Sequence, residues 1–142
     1  MREILFRGKR VVNGKWVEGF MYSQHFPLEF RDDFYIRCYD TDYLVIPETV
    51  GQYTGLTDKN GVRIFEGDIL KSTIKIIDYA DVGFSISHYD EEDIGIVEWR
   101  KDGFMIAHKS GTWARSFYGS ENYVIGNIHD NPDILKGGGD NG

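Results

Sequence analysis

Between Ile46 and Lys71 the chain reads IPETVGQYTGLTDKNGVRIFEGDILK. Two short runs rich in β-branched and aromatic residues flank Asp58-Lys59-Asn60-Gly61. Asp and Asn hydrogen-bond their own backbone in tight turns, and Gly takes the positive φ that closes them, so a hairpin with a four-residue connection is expected. Gly67-Asp68 interrupts the second run as a bulge or bend does, and a bent strand lets a small sheet curl on itself. This stretch therefore predicts the corner of a compact barrel in place of a flat sandwich.

The same turn chemistry recurs along the chain. Asn13-Gly14 separates EILFRGKRVV from KWVEGFMY and predicts a hairpin closed by a type I′ turn, with φ > 0 at both central residues. SQHFPLEFRDD, residues 23 to 33, loses the period of two and reads as a connection ahead of a short strand at Phe34 to Cys38. Residues 78 to 93 end in Asp90-Glu91-Glu92-Asp93 and carry no helical stripe, so they read as a long exposed excursion. Ile94 to Trp99 and Phe104 to Ala107 are expected to form a further hairpin around Arg100-Lys101-Asp102-Gly103. Late strands are expected at Ser116 to Tyr118 and Tyr123 to Ile128, then a single helical turn at Asn131-Pro132-Asp133, where Asn caps and Pro is tolerated. The spacing gives eight to ten short strands and minimal helix.

A chain of 142 residues is the size of one domain. The expectation is a single domain over 1–136, with two small β units at about 1–45 and 46–136 as the alternative organisation. The Gly-rich end, 137–142, is expected to be disordered. One cysteine, Cys38, cannot form an intrachain disulfide, and with four scattered histidines it cannot complete a structural zinc site. Charged residues interrupt the first thirty positions, so neither a signal peptide nor a membrane span is read there, and the mature chain is expected to begin at Met1 in a reducing cytoplasm. The net charge of −7 opposes non-specific attraction to nucleic acid or anionic membranes. Its distribution is uneven, at +3 over residues 1 to 31 and −6 over residues 78 to 93.

Candidates for chemistry are weak. His25, His88, His108 and His129 show no ligand spacing, and His88 with the acids at 90 to 93 lacks the Gly and distant Glu of a calcium loop. Asp58, Glu66 and Asp68 offer carboxylates for metal-assisted hydrolysis, yet Asp68 after Gly67 is explained more simply as an acceptor for backbone N–H groups at the bend. No nucleotide-binding fingerprint or nucleophile motif occurs. Tyr22, Tyr53, Trp99 and Trp113 with nearby cations are the rings that base stacking would use, and core packing is the simpler role for them.

Four blocks resemble the YopX family, small proteins carried by bacteriophages and prophages of low-GC Gram-positive bacteria. They are MREILFRGKRVVNGKWVEG, VIPETVGQYTGLTDKNGVRIFEGDILK, GIVEW and VIGNIHDNPDIL, in family order and spanning about half the chain. The resemblance implies a mainly β architecture with SH3-type barrel character in the central part. It carries no catalytic residue, cofactor or ligand to this sequence.

The combined expectation is a mainly β, barrel-like protein of short antiparallel strands, without catalytic residues, cofactor or metal. It would serve as a phage or prophage accessory protein acting through an unknown phage or host protein. Nucleic-acid binding through Arg7, Lys9 and Arg10 is the alternative, a hydrolase ranks last, and homo-oligomerisation is open. Should the central block bind a partner, Tyr53, Thr54, Asp58 and Lys59 are the side chains expected to do so.

Overall fold

The computed structural model describes residues 4–79, 86–100, 103–108, 113–114 and 122–137. The chain divides into two compact units, Met1–Leu56 with Arg63–Glu66, and Thr57–Val62 with Gly67–Gly142.

The first unit holds β1 (Phe6–Lys9), β2 (Trp16–Phe26), β3 (Arg31–Cys38), β4 (Thr41–Val45), β5 (Gly51–Thr57) and β6 (Arg63–Phe65), in the order β4-β3-β2-β1-β5-β6. β2 is long enough to serve two partners. Its first half pairs with β1 from Lys9↔Trp16 to Phe6↔Gly19, and its second half pairs with β3 from Phe20↔Arg37 to Phe26↔Arg31. Gly19 is the crossover. A Cβ there would lie 2.1 Å from the carbonyl oxygen of Arg37 and 3.2 Å from Ile36 Cγ2, so only glycine lets β3 approach this closely. Ile36, Val45, Ile64 and Phe65 are buried, and Tyr53 meets Phe65 with ring centroids 5.5 Å apart.

The second unit holds β7 (Asp68–Tyr79), β8 (Ile86–Arg100), β9 (Gly103–His108), β10 (Trp113–Ala114) and β11 (Asn122–Asn127), in the order β10-β9-β8-β7-β11, followed by α1 (Asp133–Gly137). Ile69, Leu70, Val97 and Ile106 form its core. Asn127 organises the turn that follows β11: its Oδ1 accepts from the backbone N–H groups of His129 and Asp130, and its own N–H donates to Asn131 Oδ1. That network gives the block IGNIHDNPD a structural purpose, and Gly126 has no Cβ because Asn131 Oδ1 would lie 2.6 Å from it.

Several expectations change. The fold is mainly β, with eleven strands among the described residues, but their pairings form two open antiparallel sheets and no closed barrel. A single bridge, Arg10↔Val45, links the end of β4 to the residue after β1 without extending into a ladder. At the first hairpin only Gly14 takes positive φ, +70°, and Asn13 does not; Gly14 N–H reaches Arg10 O across a four-residue loop, so the turn is not type I′. The stretch 23 to 33 is not a connection. It is the paired end of β2 and the start of β3 around a single 3₁₀ turn at Pro27–Glu29. Of the acidic excursion, residues 78, 79 and 86–93 are strand, since β7 and β8 pair from Ile69↔Ile96 to Tyr79↔Ile86, and residues 80–85 lie outside the described residues. The strand expected at Ser116 to Tyr118 and the tail beyond Gly137 lie outside the described residues. No described helix is long and apolar enough to cross a membrane.

Candidate functional site, a cleft on the first unit

Of the four side chains singled out in the central block, three are inside. Tyr53, Thr54 and Asp58 are 7%, 8% and 5% exposed, and Lys59 is at the surface. Thr54 belongs to the first unit and its hydroxyl donates to Ile64 O at 2.8 Å, tying β5 to β6. Asp58 belongs to the second, where its carboxylate gathers three backbone donors. Oδ1 accepts from Asn60 at 2.8 Å and Val62 at 2.9 Å, and Oδ2 accepts from Val124 at 2.9 Å. Burial by itself raises a carboxyl pKa, but the N–H groups of Val124, Val62 and Asn60 together favour the charged form and hold it below its ordinary value. Gly61 at φ +83° completes the expected turn, and Lys59 lies 5.7 Å from the Tyr123 ring centroid.

The other sequence candidates do not converge. Tyr22 stacks on its cross-strand neighbour Tyr35 at 5.1 Å, and Trp99 meets Phe104 edge-on at 4.6 Å. The side chains of Trp113, His88 and the acids at 90 and 91 lie outside the described residues. Among the described residues no group of three His, Cys, Asp or Glu gathers in metal-binding geometry. The cations of the basic stretch rest on rings of their own unit: Arg7 over Trp16 at 4.6 Å, Lys9 over Trp16 at 5.7 Å, and Arg10 over Tyr43 at 4.6 Å. Such cation–π contacts restrain them as structural side chains.

A concave site does exist in the first unit. A cleft of about 440 Å³ is lined by Leu5, Glu18, Gly19, Phe20, Arg37, Cys38, Tyr39 and Arg63. It forms where β2 passes from β1 to β3. Phe20 stands directly across from Arg37, and the β3–β4 turn lifts Tyr39 beside them. Phe20 is 69% exposed and Tyr39 is 95% exposed, so two aromatic side chains stand in water at one rim. Arg37 pairs with its cross-strand neighbour Asp42 at 3.1 Å and Arg63 of β6 with Glu18 of β2 at 3.3 Å, both exposed pairs of small stabilising value.

The backbone at Tyr39 is the unusual feature. Cys38↔Thr41 closes a two-residue turn whose first central residue is Tyr39 at φ +57°, a conformation suited to glycine. A bulky residue in the left-handed region costs about 1–2 kcal/mol, and the exposed ring recovers no packing for it. Tyr39→Gly is therefore expected to stabilise the chain by about 0.5–1 kcal/mol after the added unfolded-state entropy of glycine. Thermal denaturation checks this, and a lowered melting temperature would contradict it. Sequence reading passed over Tyr39 and Phe20. A large aromatic between two strand-like runs, RDDFYIRC and TDYLV, was the available signal.

The YopX protein family model matches residues 6–136. The chain belongs to the YopX family. No curated protein matches it. The crystal structure of protein EF1440 from Enterococcus faecalis is similar in fold, with a TM-score of 0.52 and 22% identity over 95% of this chain and 99% of that one. Every residue that lines the cleft after Leu5 falls within the stretch matched to YopX.

Proposed function

We propose that this YopX-family chain is a non-enzymatic accessory protein, encoded by a phage or prophage, that acts by binding another protein through the cleft of its first unit. The observation that carries this reading is Tyr39, an almost fully exposed aromatic side chain held at the cleft rim by a backbone conformation that its own unit gains nothing from. Strain of this kind persists where an interaction outside the folded unit uses it. The lining supports contact more than chemistry. It supplies aromatic surface and two guanidinium groups, both enriched at protein interfaces, beside one carboxylate. A shallow rim of Phe20 and Tyr39 with Arg37 between them matches a binding hot spot, where aromatic and Arg side chains carry most of the affinity.

The test is quantitative affinity capture from bacterial lysate with the full chain and its Phe20→Ser variant. Phe20 is exposed, so the variant keeps its fold, and a partner retained by the wild type is expected to be lost by at least roughly tenfold. Equal retention by both chains would sink the proposal, as would turnover of a small molecule at the cleft.

A further inference from the structure

The loop that joins β1 to β2 carries an exposed apolar pair that the cleft does not use. Val11 and Val12 stand 52% and 78% exposed at its apex. Between residues 4 and 17 the sequence holds Arg7, Lys9, Arg10 and Lys15 and no acid, so the apex sits in a purely basic stretch. The Lys9 stem passes beside Gly14, its Cε 4.0 Å from where a Cβ would stand, and Lys15 follows Gly14 directly. At the base of the loop the Arg10 guanidinium lies 4.6 Å from the half-buried Tyr43 ring and the Lys9 ammonium 5.7 Å from that of Trp16. Stacking fixes where these cations stand and leaves their charge in place. Among the described residues no acid pairs with Arg10 or Lys15. Glu48, on the adjoining 3₁₀ turn at Pro47–Thr49, pairs with neither, and Asp42, next to Tyr43, is held by Arg37.

The loop is also closed on itself. Arg10 N–H donates to Lys15 O at 2.9 Å, Gly14 N–H to Arg10 O at 2.8 Å, Lys15 N–H to Asn13 Oδ1 at 3.0 Å, and Val11 N–H crosses to Leu44 O at 3.0 Å. The N–H groups of Arg10, Val11, Gly14 and Lys15 are therefore satisfied within the unit and can leave water without being orphaned. An apolar apex, a basic collar and aromatic rings at the base divide the chemistry as an anionic bilayer surface does. Aliphatic side chains suit the acyl boundary, Trp and Tyr the headgroup level, and Lys and Arg the headgroup phosphates.

We propose that the β1–β2 loop docks the chain on an anionic lipid surface, with Val11 and Val12 entering the acyl boundary while Lys9, Arg10 and Lys15 meet headgroup phosphates. The net charge of −7 does not oppose this contact, because charges farther than about 8 Å are largely screened at physiological salt and the bilayer meets the local cations. Nucleic acid fits less well. Its phosphates would use the same cations, but two valines between them offer nothing to a base, and the rings of Trp16 and Tyr43 already carry cations of their own unit. None of the loop's side chains lines the cleft, so lipid docking and protein binding stand or fall separately.

Cosedimentation of the full chain with lipid vesicles tests the assignment. Retention is expected on phosphatidylcholine mixed with phosphatidylglycerol and not on phosphatidylcholine alone, and it is expected to fall as salt rises. Lys15→Gln is expected to weaken retention by roughly five-fold, and Arg10→Gln added to it by roughly twenty-five-fold in total. Val12→Ser keeps every charge and is expected to lose roughly three-fold or more, which adsorption by charge alone would not show. Val12 and Lys15 are both exposed, so the circular dichroism of their variants is expected to match the wild type. Absence of retention on phosphatidylglycerol vesicles overturns the proposal. Equal retention on phosphatidylcholine alone does so too, as does retention indifferent to Val12→Ser or to Lys15→Gln. Salt-sensitive binding of labelled single-stranded DNA, lost on Arg10→Gln with Lys15→Gln and seen without vesicle retention, reassigns the cations to nucleic acid and also overturns it.

Discussion

Gly19→Ala is expected to destabilise the first unit by about 3 kcal/mol or more, among the largest effects of any single methyl group in this chain. The added Cβ would lie 2.1 Å from Arg37 O and 2.8 Å from its carbonyl carbon. Those are backbone atoms of a paired strand and have no rotamer into which to retreat. β3 must shift away from β2, which breaks the ladder that begins at Phe20↔Arg37 and opens the packing over Ile36. The same shift separates Phe20 from Arg37, so binding at the cleft is expected to fall with stability. Urea denaturation followed by circular dichroism measures this, with Val12→Ala on the exposed β1–β2 turn as a neutral reference. Indistinguishable midpoints would show that β2 and β3 do not approach as described.

Asp58→Ala is expected to cost about 3 kcal/mol in the second unit, because it strips an acceptor from the N–H groups of Asn60, Val62 and Val124 together. Asp58→Asn separates the contributions. An amide oxygen can keep the two donors of the turn, while its NH₂ group faces Val124 and loses the bond that joins the turn to β11, so a smaller loss of about 1–2 kcal/mol is expected. Acid has the same sense. The carboxyl is held below its ordinary value in the fold, so its stabilisation is fully present above the unfolded pKa of about 3.9 and is lost as pH falls through the lower folded value. Wild-type stability is therefore expected to drop below pH 4 more steeply than that of Asp58→Asn, which has no proton to gain at this position. Parallel acid profiles for the two chains would contradict the assignment.

The features legible in sequence were those written in turn chemistry. Asp58 to Gly61, the break at Gly67, the Asn13-Gly14 hairpin and the final helical turn each sit where Gly, Asn, Asp or Pro placed them, even though Gly14 closes a longer loop than a type I′ turn. Strand was lost where no face is buried. Ser23, Gln24 and His25 are exposed on a strand that pairs with β3, so their sequence carries no alternation to read. The acids at 90 to 93 misled for a related reason, since ladder pairing with β7 is made by backbone and does not register in side-chain polarity.

The site was harder to read than the fold. An aspartate in a turn looks alike in sequence whether it faces water or collects three N–H groups, and only the long-range donor Val124, 66 residues away, reveals that Asp58 is structural. Tyr53 and Thr54 were likewise placed inside by β6, whose contacts are non-local. The cleft depends on the crossover at Gly19, on a turn twenty residues later, and on Arg63 from another strand. No local pattern joins those positions.

The central claim is that the rim of this cleft, and not exposed apolar surface in general, is where the YopX-family chain meets protein. A photoreactive residue placed at Phe20 tests it against the same residue placed at Val12, which is 78% exposed but lies on the β1–β2 turn outside the cleft. Illumination in bacterial lysate is expected to give a discrete protein adduct from position 20, reduced when Tyr39→Ser is added, and none from position 12. Equal labelling from both positions, or none from position 20, would contradict the account.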